Sequence, residues 1–236
     1  MTDTNPPSRV RSLIELGCVV AFALISKLIL DQYIWKFSGP VSLALTLVLF
    51  SIWMQRRGET WSAIGLRPLP GLKAKLLILP QALLGVVAIL ATGVLTGLAG
   101  DALGLWSVAE QPAGVAERWG DVRGNLPVYL LWVTLSWVSG GFAEEMFFRG
   151  VLITWAARVF GGKGAALVLA VLFAGFVFGY GHFYYQGLRG WVSTGMIGVA
   201  LGVLYLVYKR NLWPLIIAHG LVDTLVFTAH YADLDM

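Results

Sequence analysis

Apolar residues fall into seven long runs separated by short polar stretches: 12–30, 40–54, 76–98, 126–160, 165–183, 191–208 and 212–230. A helix needs about 20 mostly apolar residues to cross a bilayer, so each run reads as a membrane-spanning helix. The run 40–54 is short and leans on Trp53 and the flanking arginines as interfacial anchors. The run 126–160 is apolar through Val138, meets Ser139-Gly140-Gly141, and then continues with charges. A kink is expected at those glycines. One long crossing here gives seven spans, and two crossings divided at Gly140-Gly141 give eight. Gly161-Gly162-Lys163-Gly164 reads as a turn between helices. The expected fold class is all-α, a polytopic transmembrane helix bundle of about seven to eight spans.

The polar stretches set the organisation. Residues 1–11 are a polar, disordered lead, 12–125 are N-terminal membrane helices and loops, 126–230 form a helical core that holds most of the intramembrane charges, and 231–236 are an acidic tail. Ala21-Phe22-Ala23 resembles a signal-cleavage site, but the apolar run continues past it and Glu15 interrupts it, so an uncleaved span is expected. With seven spans, Arg9, Arg11, the Arg56–Lys75 loop, Arg158, Lys163, Lys209 and Arg210 share one side of the membrane. The acidic loop 100–125 and the acidic tail share the other. The excess of basic residues in cytoplasmic loops then puts the N-terminus inside and the C-terminus outside, and a bacterial inner membrane is the expected location.

Composition sharpens this picture. Apolar residues make up 58% of the chain and charged residues 13%, against about 45–50% and about 25% in soluble domains. Disorder and a soluble domain are both excluded. Cys18 is the only cysteine, which excludes a disulfide-stapled module and any Cys-x-x-Cys site. It follows Gly17, but Glu15 stands where a lipoprotein signal needs an aliphatic residue, so Cys18 is expected to be a small buried residue. The net charge of +4 comes from basic residues set singly or in pairs between apolar runs. No basic face results, and no nucleic-acid partner is expected.

Ionisable groups inside the spans carry the chemistry, because each costs about 2.5–3.5 kcal/mol at a helix centre. They are Glu15, Lys27, Glu144, Glu145, Arg149, His182, His219, Asp223 and His230. Glu145 and Arg149 are four apart, share a helical face and can pair. Glu144 is turned away by about 100° in an α-helix, which leaves it free either as a general base or as one member of a structural ion-pair network. Glu144 and His182 lie nearly equidistant from the turn at 161–164, so an antiparallel hairpin brings them to the same depth. Phe178 lies one turn before His182 on the same face. His219 and Asp223 are four apart in mid-membrane, either as an oriented imidazole or as a polar clamp between helices. Glu15 and Lys27 do not share a face and are expected to snorkel or to pair with other spans. His230 is expected to be interfacial.

Known intramembrane chemistries narrow the choice. No His-Glu-x-x-His zinc-protease motif occurs. Trp137-Val138-Ser139-Gly140 lacks the first glycine of a Gly-x-Ser-Gly serine-protease motif, and Gly97 to Asp101 misses the Gly-x-Gly-Asp spacing of aspartyl proteases. What remains is Glu144-Glu145-x-x-x-Arg149, then Phe178-x-x-x-His182, then His219-x-x-x-Asp223. These successive motifs resemble those of the CPBP family, which contains prenyl-protein CAAX endopeptidases and bacterial Abi-type relatives. The resemblance covers about 126–230. Arg149-Gly150 and Trp61-Ser62-Ala63-Ile64-Gly65-Leu66 are also similar to the family's sequences.

The resemblance implies an intramembrane glutamate protease acting on a membrane-associated protein or peptide, with the lipid bilayer as its other partner. It implies Glu144 as the base that activates water with His182 assisting, His219 and Asp223 as oxyanion stabilisers, and Glu145 and Arg149 as site support. Zinc is chemically conceivable with two histidines and several carboxylates. Likeness to glutamate-dependent members argues against a required metal, and no cofactor is expected. Many relatives have asparagine where this chain has Asp223, and an ionised aspartate cannot donate. Either Asp223 is protonated, or it orients His219. The competing classes are a catalytically silent scaffold or immunity-type member and a small proton-coupled carrier. A carrier would be expected to show repeated halves with broken helices, and the two halves here look unrelated.

Overall fold

The computed structural model describes residues 8–233. Residues 1–7 of the expected polar lead and 234–236 of the expected acidic tail lie outside the described residues. Ser8 caps the first helix, its Oγ accepting from the Arg11 amide at 3.2 Å. Residues 9–11, expected in the lead, therefore form the first helical turn.

Among the described residues the regular structure is entirely helical. The α-helices are α1 (Arg9–Ile34), α2 (Ser38–Arg56), α3 (Gly71–Ala102), α4 (Ala113–Trp119), α5 (Leu126–Leu135), α6 (Ile153–Phe160), α7 (Ala165–Val207) and α8 (Trp213–Ala232). A π-helix, Ser136–Leu152, joins α5 to α6 without a break. Among the described residues five stretches are long and apolar enough to cross a membrane: Arg9–Arg56, Gly71–Ala102, Leu126–Phe160, Ala165–Val207 and Trp213–Ala232. To within a residue at the ends they cover the seven apolar runs, because two of the stretches are internally broken. A 3₁₀ turn at Trp35–Phe37 separates α1 from α2, and α7 breaks at Gly187.

Gly187 has φ 61° and ψ −154°, a conformation essentially confined to glycine. The chain doubles back there. A Cβ placed on Gly179 would meet the Trp191 carbonyl oxygen at 2.1 Å and the Gly195 Cα at 2.8 Å. One placed on Gly198 would meet the Gly175 Cα at 3.0 Å. The partners are symmetric about residue 187, so α7 is an antiparallel hairpin whose backbones touch along a glycine seam. Small residues drive helix association in lipid in this way, because lipid removes the hydrophobic drive between helices and leaves close packing to do the work.

Large apolar side chains face outward along the long helices. Leu28, Leu76, Leu79 and Leu95 are 64% to 66% exposed. On a soluble protein such a surface would be an aggregation liability, and a bilayer makes it the expected one. Cys18 is also exposed, which corrects the expectation of burial. In lipid a small apolar group gains little from being covered by protein.

The interior lies between α1, α2, α6, α7, α8 and the π-helix, around Trp155, Met54, Tyr205 and Leu215. The Trp61–Ile64 turn docks there. Tyr205 Oη donates to the Ile64 carbonyl at 2.9 Å, the Leu212 amide donates to the Gly65 carbonyl at 3.1 Å, and a Cβ on Gly150 would meet the Ile64 carbonyl at 2.9 Å. Glu15 does pair beyond its own helix, with Arg57 at 2.7 Å and Trp155 Nε1 at 2.9 Å, besides Arg11 at 2.9 Å. Lys27 instead pairs within α1, with Asp31 at 2.8 Å.

Candidate active site

The π-helix carries the first part of the site. The sequence suggests a kink at Ser139-Gly140-Gly141, but the chain remains helical there and changes its winding instead. Hydrogen bonds reach five residues back rather than four, so the angle between Glu144 and Glu145 is not that of an α-helix. The two glycines admit α8. A Cβ on Gly141 would meet the Ile216 carbonyl oxygen at 3.0 Å, and one on Gly140 would meet Asp223 Oδ2 at 2.4 Å. Absence of side chains at these positions thus sets α8 directly against the acidic helix.

Behind the site lies a buried ion network. Glu145 is 0% exposed and Arg149 is 1% exposed. They pair at 2.9 Å, as their four-residue spacing suggests. The Arg149 guanidinium lies 4.5 Å from the centre of the Phe178 ring. His219 Nδ1 donates to the same Glu145 oxygen at 2.8 Å. Glu145, on another helix, thus holds the imidazole at Nδ1, while Asp223 Oδ1 stands 3.8 Å from Nε2, on the opposite side of the ring. Glu144 Oε2 also faces Nε2, at 3.9 Å. A carboxylate on Nδ1 leaves Nε2 directed at the space between Glu144 and Asp223.

That space is a cavity of about 370 Å³. Glu144 from the π-helix, His182 and Phe178 from α7, and His219 and Asp223 from α8 all line it. Its remaining walls are largely apolar. His182 Nδ1–H donates to the Phe178 carbonyl at 2.9 Å, so the lone pair of the neutral ring is on Nε2. Phe178 packs edge-to-face against His182 at 4.8 Å and against His219 at 6.2 Å. The expected common depth of Glu144 and His182 is realised as a shared cavity wall. Among the described residues no direct hydrogen bond joins the two, which leaves room between them. No group of three His, Cys, Asp or Glu side chains is gathered as a metal site among the described residues.

The sequence reading missed Arg118. It lies on α4, in the loop read as acidic on balance, yet it is buried and lines the same cavity. Its only sequence signal is the adjoining Trp119. His230 packs on that tryptophan at 5.7 Å between ring centres and does not line the cavity.

Residues 126–225 match the family model described as type II CAAX prenyl endopeptidase, Rce1-like. Over this segment, less than half of its length, the chain is similar to the Rce1-like family. The matched segment runs from the first residue of α5 into α8 and includes all seven motif residues, Glu144, Glu145, Arg149, Phe178, His182, His219 and Asp223. The model it matches describes a protease family, and among the described residues the helices are long and apolar enough to cross a membrane. Comparison with curated proteins and with solved structures gives no match.

Proposed function

We propose that the protein is an intramembrane endopeptidase that hydrolyses a peptide bond of a membrane-associated protein. The observation that carries this reading is the common cavity of Glu144, His182, His219 and Asp223, contributed by three separate helical segments. Such groups are costly in a membrane unless they serve one another or a substrate. A water held between Glu144 and His182 Nε2 attacks the scissile carbonyl carbon, and Glu144 takes its proton. The carbonyl oxygen becomes an oxyanion, which a doubly protonated His219 stabilises from Nε2. Asp223 adds a second donor only in its carboxylic-acid form. Glu144 then passes the proton to the departing nitrogen as the carbon–nitrogen bond breaks. Glu145 and Arg149 hold His219 in register, and no step of this scheme uses a metal or cofactor.

Seven crossings fit this architecture. The halves of α7, 165–186 and 188–207, are each about 30 Å or more in length at 1.5 Å per residue, as are α1 and, nearly so, α2. The N-terminus is assigned to the cytoplasm of a bacterial inner membrane, from the basic loops. The bilayer and a membrane-associated protein or peptide are the partners, and nucleic acid is not.

The test uses purified full-length protein in liposomes with a dansylated, farnesylated CAAX peptide. The wild type is expected to release product that mass spectrometry identifies, and Glu144→Gln to reduce the rate by about 10²–10⁴ with an unchanged circular dichroism spectrum. Cleavage by Glu144→Gln at the wild-type rate would remove Glu144 as the base. Loss of activity in EDTA, restored by zinc, would favour a metal mechanism.

A further inference from the structure

A further pocket opens at the basic end of the bundle, between the first turns of α3, the turn joining α7 to α8, and the stretch that precedes α3. It measures about 230 Å³ and shares no lining residue with the cavity of Glu144 and His182. Arg67, Lys209 and Asn211 line it together with Gln81, Leu77 and Ala74. Trp213 marks its depth in the membrane. The indole Nε1 donates to the Arg67 carbonyl at 2.9 Å, and tryptophans gather at the headgroup level of a bilayer, where one end of the ring is wet and the other apolar.

The donors of this pocket lack protein partners. Among the described residues no carboxylate pairs with Arg67 or Lys209, nor with the neighbouring cations Lys73, Lys75 and Arg210. Asn211 Oδ1 accepts from the Trp213 amide at 3.2 Å, which leaves its NH2 group to donate elsewhere. Gln81 gives its backbone carbonyl to the Tyr208 hydroxyl at 2.9 Å, while its carboxamide bonds to none of the described residues. The turn also holds its cations at a cost. Lys209 has φ 53° and Arg210 has φ 62°, left-handed backbone that glycine adopts freely and that lysine and arginine do not.

Cations, amide donors and exposed leucines together describe one kind of ligand. Beside the pocket, Leu72, Leu76 and Leu79 of α3 are 71%, 64% and 64% exposed, a surface along which acyl chains can lie. The volume is below the about 300–1,000 Å³ that encloses a whole drug-sized molecule, and suits a headgroup whose chains stay in the bilayer. An acidic protein segment would use the charges and leave the leucines uncovered. We propose that this pocket binds the headgroup of an anionic glycerophospholipid, with Arg67 and Lys209 on the phosphate. The proposal is independent of the catalytic reading.

The test is native mass spectrometry of the full-length, delipidated protein in detergent. Dioleoyl phosphatidylglycerol and dioleoyl phosphatidylcholine are compared, since they share their chains and differ in net charge. One phosphatidylglycerol is expected to bind at least about tenfold more tightly than phosphatidylcholine. Arg67→Gln/Lys209→Gln is expected to abolish that preference. Lys73→Gln/Lys75→Gln removes the same charge beside the pocket and is expected to change it less than about threefold. All four side chains are exposed, so an unchanged circular dichroism spectrum is expected of both variants. Equal binding of the two lipids by the wild type would overturn the proposal, and that comparison needs no variant. A preference that survives in Arg67→Gln/Lys209→Gln would do so too, as would equal losses in the two double variants, which would mark a diffuse attraction to the basic face. Displacement of the bound lipid by glycerol 3-phosphate at a concentration equal to that of the lipid would assign the site to a soluble phosphate and overturn the lipid assignment.

Discussion

Arg149→Met isolates the buried ion network. The substitution keeps an unbranched apolar side chain but removes the only arginine paired with Glu145. That carboxylate is 0% exposed, and its Oε2 has no hydrogen-bond partner among the described residues. Only His219 Nδ1, at 2.8 Å, would remain to compensate it. Breaking a buried pair from one side costs about 3–5 kcal/mol, and loss of the guanidinium over Phe178, at 4.5 Å, adds about 0.5–2 kcal/mol. The expected total is about 3.5–7 kcal/mol, read from unfolding of purified protein in mixed micelles by titration with sodium dodecyl sulfate and followed by circular dichroism. The double variant Glu145→Gln/Arg149→Met removes both charges and is expected to recover about 2 kcal/mol or more relative to the sum of the single variants. A loss below about 1 kcal/mol in Arg149→Met, or strict additivity in the double variant, would refute the view that the two charges are held in low dielectric by each other.

Gly179→Ala is expected to destabilise the protein by about 1–3 kcal/mol in the same assay, because the new methyl would meet the Trp191 carbonyl oxygen at 2.1 Å and force the α7 hairpin apart. Gly140→Ala is expected to displace Asp223, whose Oδ2 would lie 2.4 Å from the new methyl, and so to lower kcat on the dansylated peptide at least tenfold while the circular dichroism spectrum is retained. His182→Ala is expected to lower kcat more than it raises KM, by about 10²-fold or more, since the ring borders the attacking water rather than the distant parts of the substrate.

The long helices and the spacing of Glu145 with Arg149 are legible in the sequence, because lipid demands unbroken apolar runs and makes intramembrane charges conspicuous. The α7 hairpin is also legible, since the run break between 183 and 191 brackets Gly187. The π-winding of Ser136–Leu152 is not, because it is a choice of backbone register made by packing against α8. The partner of His219 illustrates the same gap. Spacing within one helix points to Asp223, whereas Glu145 binds Nδ1 from a helix 74 residues away in sequence. Arg118 lies in the stretch expected to be an acidic loop, and only the folding of α4 onto α7 and the aromatic residues buries it. Cys18 failed for the opposite reason. Burial rules drawn from water do not carry over to a lipid-facing surface.

The convergence of helices on one chamber can be measured directly by cross-linking. Cys18→Ser removes the only native thiol, and Glu144→Cys with His219→Cys then places thiols at two positions whose native side chains reach to 3.9 Å of one another. Glu144→Cys with His230→Cys serves as the control, since His230 lies outside the cavity. A short bifunctional thiol reagent applied to the protein in native membranes is expected to bridge 144 to 219 and not 144 to 230, as read by the mass of the linked peptides. Failure to bridge 144 to 219, or equal bridging of both pairs, would contradict the chamber on which the account depends.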